Sequence, residues 1–482
     1  MTTLSIIADP NLDYPQESGF SPSERFPEYR YAEIACQPNL VYGAVRSCFA
    51  QAGLDEAHFG SPTWNPLGEF IQPGQRVFVL CNFVFHRRLN ESAAQFKAKC
   101  TQGAMLRALV DYLLIAVGSA GKICFGNAPV QSCQWESVLE ETGAQQVLDF
   151  YQAVGARVTA QDLRLYVAER TPFGSIRKLE QRQDDNAVSI DLGEQSLLTQ
   201  ISQSATTRFR LSDYDPRRTE AFHANGSHVY VLNQQVLAAD VIVSLPKLKT
   251  HEKVGITCAL KGCVGAIAHK DCLAHHRFGP PTTGGDEYPS DRFYIKRAAS
   301  KVHDWVQQTP ANGVQGNSLR VIDRLLRSGL RRLSPTTAGA WWGNDTAWRM
   351  ALDIARILRY ADAKGVLQPA PVRPHLVLID GVIGGEGTGP LKPTPVKSGI
   401  VLFSDEPVLA DAVSAQLMGF APEKIPLLQA TLTLQNYPLT CGDWDKVMCS
   451  YNGQAQEVGA LTPPSNRGYQ PPPGWCGYIE RA

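Results

Sequence analysis

The chain has 482 residues, 44% of them hydrophobic, and its 46 lysine and arginine residues are matched by 46 aspartate and glutamate residues. This composition is typical of a globular protein with a large core, and the balanced charge argues against a general nucleic-acid-binding protein, which would carry a basic excess. The N-terminal sequence is unlike a secretory signal, no apolar run reaches the roughly 20 residues that span a bilayer, and the 12 cysteines form no regular framework. We therefore expect a cytoplasmic protein with reduced cysteines, no membrane span and no nucleic-acid partner.

The predicted elements begin after an N-terminal extension, 1–70, that is rich in proline, asparagine and aromatic residues. A strand, a helix and a strand then follow one another across short glycine turns, and this order predicts a βαβ unit and therefore a parallel sheet. The three segments are Arg76–Leu80, Gln102–Val117 and Lys122–Gly126. Later strands are predicted at Leu163–Ala168, Val229–Leu232, Val241–Leu245, Leu376–Asp380 and Ile400–Phe403, and later helices at Trp135–Gly155 and Pro407–Met418.

These elements predict an α/β fold, a mostly parallel twisted sheet with flanking helices and a helical insertion. The α/β domain is placed at 71–435, with the insertion at 291–363 and a proline-rich C-terminal strap at 436–482. One amphipathic segment of the insertion carries a row of arginines, Arg324, Arg327, Arg331 and Arg332. Two interpretations of this row stay open, a solvated helix surface and an anion-binding face.

Residues 239–289 concentrate polar chemistry beside an apolar strand, with four of the ten histidines and five lysines. Ligands of open parallel sheets bind where loops leave the carboxyl ends of the strands. Lys247, Lys249 and His251 alternate after the strand Val241–Leu245. An extended chain would therefore turn all three to one side, where they suit a phosphate or carboxylate. The alternative is an exposed basic loop.

Lys261 is the lone charge in the small, apolar run Gly255–Ile267. Burial lowers the pKa of a lysine, so this position predicts a base, a nucleophile or an anchor for an anion. The alternative is a side chain that reaches solvent along its methylene stem.

Two adjacent histidines are followed ten residues later by an acidic pair, across Pro-Pro and Gly-Gly bends that bring the carboxylates back toward the imidazoles. Mixed nitrogen and oxygen ligands suit a divalent ion such as Zn²⁺, Mn²⁺ or Fe²⁺. The predicted ligands are His275, His276, Asp286 and Glu287. The alternative is a hydrogen-bonded pair of a histidine and a carboxylate without any ion.

A glycine-rich turn follows the strand Leu376–Asp380, and its glycines allow the backbone to approach a ligand closely. It is not a dinucleotide fingerprint, because that motif must open a helix and the prolines that follow forbid one. Its predicted site residues are Gly385, Gly387 and Gly389, with Asp380 and Glu386 as the acids. We assign Asn82 and Asp411 to the wall of the same pocket.

Several of these motifs together resemble a known family. ADVIVSLPKLKTH (239–251), ALKGCVG (259–265), IDGVIGGEGTGP (379–390) and SDEPVLADAVSAQLMGF (404–420) are similar to the hallmarks of the domain-of-unknown-function 362 family, as are GNDTAWRMALD (343–353) and KDCLAHHRFGPPTTGGDEYP (270–289). The resemblance covers about 76–420 and implies an α/β fold, but no settled reaction.

The chain departs from the family pattern at a few positions. Leu80 stands where the family usually has a lysine, Cys81 replaces a proline, and Gly262 stands where an asparagine commonly follows the lysine. Some relatives append iron–sulfur ligands that this sequence lacks, so no locally ligated iron–sulfur cluster is expected.

The combined prediction is an enzyme that acts on a small anionic metabolite or an activated sugar by acid–base chemistry, with or without a divalent ion. The catalytic candidates are Lys261, His251, Asp380 and Glu386, and the substrate-binding candidates are Asn82, Lys247, Lys249, Gly385, Gly387, Gly389 and Asp411. The alternative is a non-catalytic anion-binding or assembly protein. A homo-oligomer is left open.

Overall fold

The structure is a computed structural model, and it describes residues 3–16, 19–171, 174–181, 186–202, 208–212, 214–309, 314–333, 336–440, 442–464 and 467–481. Within these ranges a large mixed sheet, mostly parallel, is covered by helices on both faces, as the sequence predicts for an α/β fold. The strands are β1 (Leu4–Ala8), β2 (Arg76–Cys81), β3 (Lys122–Asn127), β4 (Val158–Asp162), β5 (Tyr166–Thr171), β6 (Gly174–Gln181), β7 (Ala187–Asp191), β8 (Phe209–Arg210), β9 (Val229–Asn233), β10 (Val241–Leu245), β11 (Lys247–His251), β12 (Gly255–Ile256), β13 (His276–Arg277), β14 (His375–Glu386), β15 (Thr394–Ser404), β16 (Met448–Tyr451) and β17 (Gln454–Glu457).

The helices lie between these strands, and three of them fall within the predicted insertion, 291–363. They are α1 (Leu40–Gln51), α2 (Ala93–Lys99), α3 (Gly103–Val117), α4 (Trp135–Thr142), α5 (Ala144–Ala153), α6 (Pro216–Phe222), α7 (Gln234–Leu237), α8 (Cys258–Gly262), α9 (Tyr294–Gln308), α10 (Val314–Leu333), α11 (Ala347–Tyr360), α12 (Pro407–Leu417) and α13 (Pro426–Gln429). One helical stretch of the described chain, Ala93–Val117, is apolar and long enough to cross a membrane, but 89% of its most apolar window is buried inside the fold.

The main sheet runs in the order β17-β16-β1-β15-β14-β10-β2-β3-β4. The half of the sheet from β14 to the edge at β4 is parallel, because β14, β10, β2, β3 and β4 pair in the same direction. Successive residues of one strand point to opposite faces, so Val241 and Val243 pack on one side and Ile242 on the other. Each face thus has its own apolar core, and the carboxyl ends of the parallel strands meet along one edge.

Both ends of the chain contribute strands to this sheet. β1 pairs antiparallel with β15 and parallel with β16, so the predicted N-terminal extension and C-terminal strap meet beside the central strands. The boundaries at 70 and 435 stay a prediction, but the flanking segments are structurally continuous with the sheet.

Two predicted elements differ from the structure. The strand predicted at Leu163–Ala168 lies after β4, which forms the edge of the main sheet and pairs with β3 from Val158 onward. The last three residues of the predicted strand begin β5, which pairs with β6 outside the main sheet. β4 lies at the end of the sheet and lacks a continuous apolar run, so its sequence gives a weak strand signal. The glycine-rich turn is also shorter than predicted, because β14 continues to Glu386 and pairs with β15 as far as Thr394.

Candidate functional site

A cavity of about 560 Å³ opens at the carboxyl ends of the parallel strands β2 and β3. Residues that follow these two strands, 82–85 and 127–132, form one side of it. Residues from β11, α8 and the segment up to His276 form the floor, and α9 and α10 close the opposite side. This is the edge at which open α/β sheets bind ligands.

Lys261 reaches this cavity from the last turn of α8. The helix begins where Asp411 of α12 accepts hydrogen bonds from the backbone N–H groups of Ala259 (2.6 Å) and Leu260 (2.9 Å). The Lys261 ammonium has no hydrogen-bond or ion-pair partner among the residues that the structure describes. Burial, reinforced by the neighbouring charge of Lys253, lowers the pKa of Lys261 to about 8.

Two further lysines of the cavity wall are anchored to carbonyl groups. The Lys270 Nζ donates to the carbonyl oxygen of Ala128 at 2.6 Å, and the Lys253 Nζ donates to that of Ala338. Burial and the charge of Lys261 lower the pKa of Lys270 to about 7. Carbonyl oxygens carry no net charge, so these contacts hold the side chains without neutralising them.

Lys249 lies behind this wall and positions Asn82. Its Nζ donates to Asn82 Oδ1 at 2.6 Å and to the carbonyl oxygen of Lys99 at 2.5 Å. Burial lowers the pKa of Lys249 to about 7. Asn82 lines the cavity, and Lys249 contacts it from behind.

Four imidazoles also line the cavity, those of His251, His275, His276 and His303. The pKa values of His251, His275 and His276 are lowered well below the usual range by burial and by the nearby lysines, so all three are neutral near pH 7. His251 Nδ1 accepts the backbone N–H of Lys253 at 3.1 Å, which places the ring hydrogen on Nε2. His275 Nε2 and His276 Nδ1 are buried and have no hydrogen-bond partner in the described part of the chain. Buried ring nitrogens without partners are rare outside ligand sites.

Aromatic side chains also line the cavity. They are Phe83, Phe85, Tyr214, Phe278 and Tyr288. The cavity therefore offers both nitrogen donors and flat apolar surfaces, which is typical of a small-molecule site.

Two carboxylates of the wall have partners of their own. Glu287 accepts the backbone N–H of Gly279 at 3.1 Å, and burial raises its pKa. Asp304 pairs with Arg210 at 3.1 Å. Neither stands opposite Lys261 as an ion-pair partner within the described residues.

Two predicted pocket residues, Lys247 and Asp380, form an internal ion pair away from the cavity. The Lys247 Nζ lies 2.9 Å from Asp380 Oδ1, and Tyr14 donates to the same oxygen at 2.5 Å. Both charged side chains are fully buried. A β-bulge between Lys247 and Lys249, where β11 pairs with β14, lets the two lysines reach different partners.

The predicted residues of the glycine-rich turn also lie outside the cavity wall. Glu386 pairs with Arg467 at 3.0 Å and accepts the backbone N–H of Gln470 at 2.9 Å, so it holds the C-terminal segment. Gly389 packs so closely on Thr250 that a Cβ would lie 2.0 Å from its carbonyl oxygen. Gly387 has a positive φ of 72°, and Gly385 packs on the Lys249 side chain. These glycines serve backbone packing in this structure.

The four predicted metal ligands lie in two different places in the structure. Asp286 holds the start of α11, because its carboxylate accepts from Thr346 Oγ1 at 2.6 Å and from the backbone N–H of Asp345 at 3.0 Å. His275, His276 and Glu287 line the cavity instead. Among the described residues no group of three or more His, Cys, Asp or Glu side chains is placed to hold a metal ion. The metal site stays a prediction without support from this geometry.

Sequence reasoning did not assign Lys253, Lys270 or Arg210 to the site. Lys253 and Lys270 stand in the same lysine- and histidine-rich segment, so their density there was an available signal. Arg210 reaches the site because β8 pairs with β13, and nothing in the sequence indicates that pairing.

The comparison with family models gives one match. Residues 183–416 match the model described as a domain of unknown function, DUF362. This range holds the lysine and histidine side of the cavity, whereas Asn82 and 127–132 lie before it. No curated protein matches the chain.

Proposed function

We propose a function from the cavity itself, because the DUF362 model that matches residues 183–416 is described without an activity. The cavity binds a small anionic metabolite, such as a phosphorylated compound, a carboxylate or an activated sugar, and acts on it by acid–base chemistry. Its volume of about 560 Å³ suits a ligand of this size.

The observation that carries the proposal is Lys261, which has no partner among the described residues and lies beside Lys253 and Lys270. Buried charges are normally paired, because removing a charge from water is costly. Here three lysine side chains share one cavity, and two carboxylates of its wall, those of Glu287 and Asp304, are engaged elsewhere. A phosphate or carboxylate that enters would supply the missing negative charge.

The acid–base part rests on Lys261 and His251. An amine whose pKa is near 8 exchanges its proton readily at neutral pH, and a neutral imidazole beside it accepts or returns one. Lys261 is therefore assigned as proton donor and anion anchor, and His251 as its partner. Asp380 and Glu386 are left out of this chemistry, because both carboxylates are bound to cations away from the cavity.

The aromatic side of the cavity favours a ligand with a flat or apolar part next to its anionic group. Phe83 and Phe85 line the same cavity as Lys261, so a sugar ring or a nucleobase would pack on them while its phosphates face Lys261. An activated sugar meets both requirements.

A ligand screen tests the proposal. Thermal unfolding of the purified chain is followed with inorganic phosphate, pyrophosphate, nucleotide sugars and dicarboxylates, and NMR spectra of each mixture report any product. We expect stabilisation by phosphorylated ligands, which grows with concentration as linkage requires, and conversion of one of them. Binding without turnover of any ligand would favour the non-catalytic alternative, and the absence of stabilisation by every anion would contradict the proposal.

A further inference from the structure

The helices α9 and α10 turn an apolar face to solvent. Trp305 is 53% exposed and Ile295 55% on α9, while Ile322 is 58% and Leu325 67% exposed on α10. Tyr294 and Val302 extend the same strip on α9 at helical spacing. A strip of this size on adjacent helices is unusual for a surface in contact only with water.

The opposite face of the same two helices closes the cavity. Lys296, Ser300 and His303 of α9 and Arg327 of α10 line it, and His303 joins the helices through Asp323 at 2.9 Å. The apolar strip is therefore held in place by the helix faces that pack inward.

The charges of this helix pair differ from those of the whole chain. The described side chains of α9 and α10 include six basic residues and two acidic ones, whereas the full sequence is balanced at 46 and 46. The six are Lys296, Arg297, Lys301, Arg320, Arg324 and Arg327. The side chains of Arg331 and Arg332 lie outside the described residues.

Both acidic residues of the pair point inward. Asp304 pairs with Arg210, and Asp323 pairs with His303 and Arg327. Lys301 and Arg324 remain exposed beside the apolar strip. The outer surface thus combines exposed aliphatic and aromatic side chains with a basic border.

We infer that the outer face of α9 and α10 docks on an anionic lipid bilayer. Amphipathic helices with exposed Trp, Leu and Ile on one side and Lys or Arg at the border bind the membrane interface in this way. A second copy of the chain is a poorer occupant, because two cationic faces would repel each other. A bilayer, unlike a protein partner, also needs no complementary groove to receive the two helices. The inference stands on this surface and is independent of the ligand proposed for the cavity.

Vesicle flotation of the full chain tests the inference. The probe is vesicles of phosphatidylglycerol and phosphatidylcholine in equal parts, compared with pure phosphatidylcholine. We expect binding to the acidic vesicles and at least about tenfold weaker binding to the neutral ones, with loss of binding in high salt.

Two double variants separate the apolar and the electrostatic contributions. Trp305→Ser with Leu325→Ser, and Lys301→Gln with Arg324→Gln, should each weaken binding to the acidic vesicles about tenfold or more. All four positions are exposed, so both variants are expected to fold, which circular dichroism checks. The control is Val366→Ser, an apolar residue that is 56% exposed elsewhere, and it should bind like the wild type.

Three results would overturn the inference. They are failure of the wild type to bind acidic vesicles, equal binding by the double variants, and a concentration-dependent dimer in sedimentation that Trp305→Ser with Leu325→Ser abolishes. The last would assign the face to a second copy of the chain. All three measurements are made without any cavity ligand, so their outcome does not depend on the proposed function.

Discussion

Lys261 combines three features at the scale of a single residue. It is the lone charge in an apolar run of the sequence, it has no partner among the described residues, and it faces a cavity shared with other cations. The cost of desolvating an ammonium is repaid in most proteins by a fixed carboxylate. Because no carboxylate among the described residues pairs with it, the Lys261 ammonium is available to bind an anion that enters the cavity.

We expect Lys261→Met to abolish binding of the anion found in the ligand screen, or to weaken it at least about a hundredfold, while the fold is kept. A charge-assisted hydrogen bond in a desolvated site contributes about 2 to 3 kcal/mol or more, and methionine keeps only the apolar stem. Isothermal titration calorimetry measures the change. Lys122→Met, at an exposed lysine at the start of β3, is the matched control and should bind normally. Wild-type affinity in Lys261→Met would remove the residue from the site.

Lys270 gives a pH dependence with a defined sign. Its pKa falls from the usual 10.5 to about 7 in the folded state, so above pH 7 the unfolded chain binds more protons than the folded one. The free energy of unfolding of the wild type should therefore rise relative to Lys270→Met as pH increases from 7 to 8.5. The slope is at most about 1.4 kcal/mol per pH unit.

Urea unfolding of both proteins at each pH measures this difference. The comparison cancels the titration of the buried cysteines, which both proteins share. A constant difference between the two proteins across this range would mean that Lys270 is not perturbed in the folded state.

At the scale of elements, the short helix α8 depends on α12. Asp411 accepts two backbone N–H groups at the start of α8, and Cys258 just before them has a positive φ of 31°. A non-glycine residue in that region is strained and persists only where its surroundings hold it. Asp411 was predicted as a substrate ligand, but its carboxyl group instead fixes the helix that carries Lys261.

Asp411→Ala should lower the free energy of unfolding by about 2 to 4 kcal/mol, because two buried N–H groups lose their acceptor. Asp411→Asn keeps one acceptor oxygen, and burial already raises the pKa of Asp411 to about 8, so near pH 6 the amide should cost less than half as much. Chemical denaturation measures both variants, and Lys261-dependent anion binding should fall in the same order. Equal stability of Asp411→Ala and the wild type would contradict the assignment.

At the scale of the whole molecule, buried polar contacts tie both ends of the chain to the sheet. Tyr14 bonds to Asp380 at the N-terminal side, and Arg467 bonds to Glu386 at the C-terminal side. β1, from the N-terminal end, lies between β15 and β16, two strands from the C-terminal part of the chain. The ends are thus expected to unfold together with the core.

Lys247→Met should cost about 3 to 5 kcal/mol, because it leaves the carboxylate of Asp380 buried without its cation. Lys247→Met with Asp380→Leu removes both charges and should recover most of that loss. Urea unfolding followed by tryptophan fluorescence compares the single and double variants with the wild type. A loss below about 1 kcal/mol in the single variant would show that the ion pair is not structurally important.

The sequence alone determined the architecture, and it indicated which segment of the chain carries many of the cavity residues. Strands β2, β3, β10 and the helices α3 and α12 lie within one or two residues of their predicted bounds, because their apolar spacing and glycine ends are local signals. The segment rich in lysine and histidine was also expected at the carboxyl ends of parallel strands, and His251, Lys261, His275 and His276 line the cavity there.

Only the tertiary structure decided which of the polar residues share the cavity. Lys247 and Lys249 are two residues apart, yet one meets Tyr14 and Asp380 while the other meets Asn82. Glu386 is likewise occupied by Arg467, 81 positions along the chain. Whether a charge is paired depends on segments that are distant in sequence, and local spacing carries no information about them. That the Lys261 ammonium has no partner among the described residues is for this reason a property of the fold.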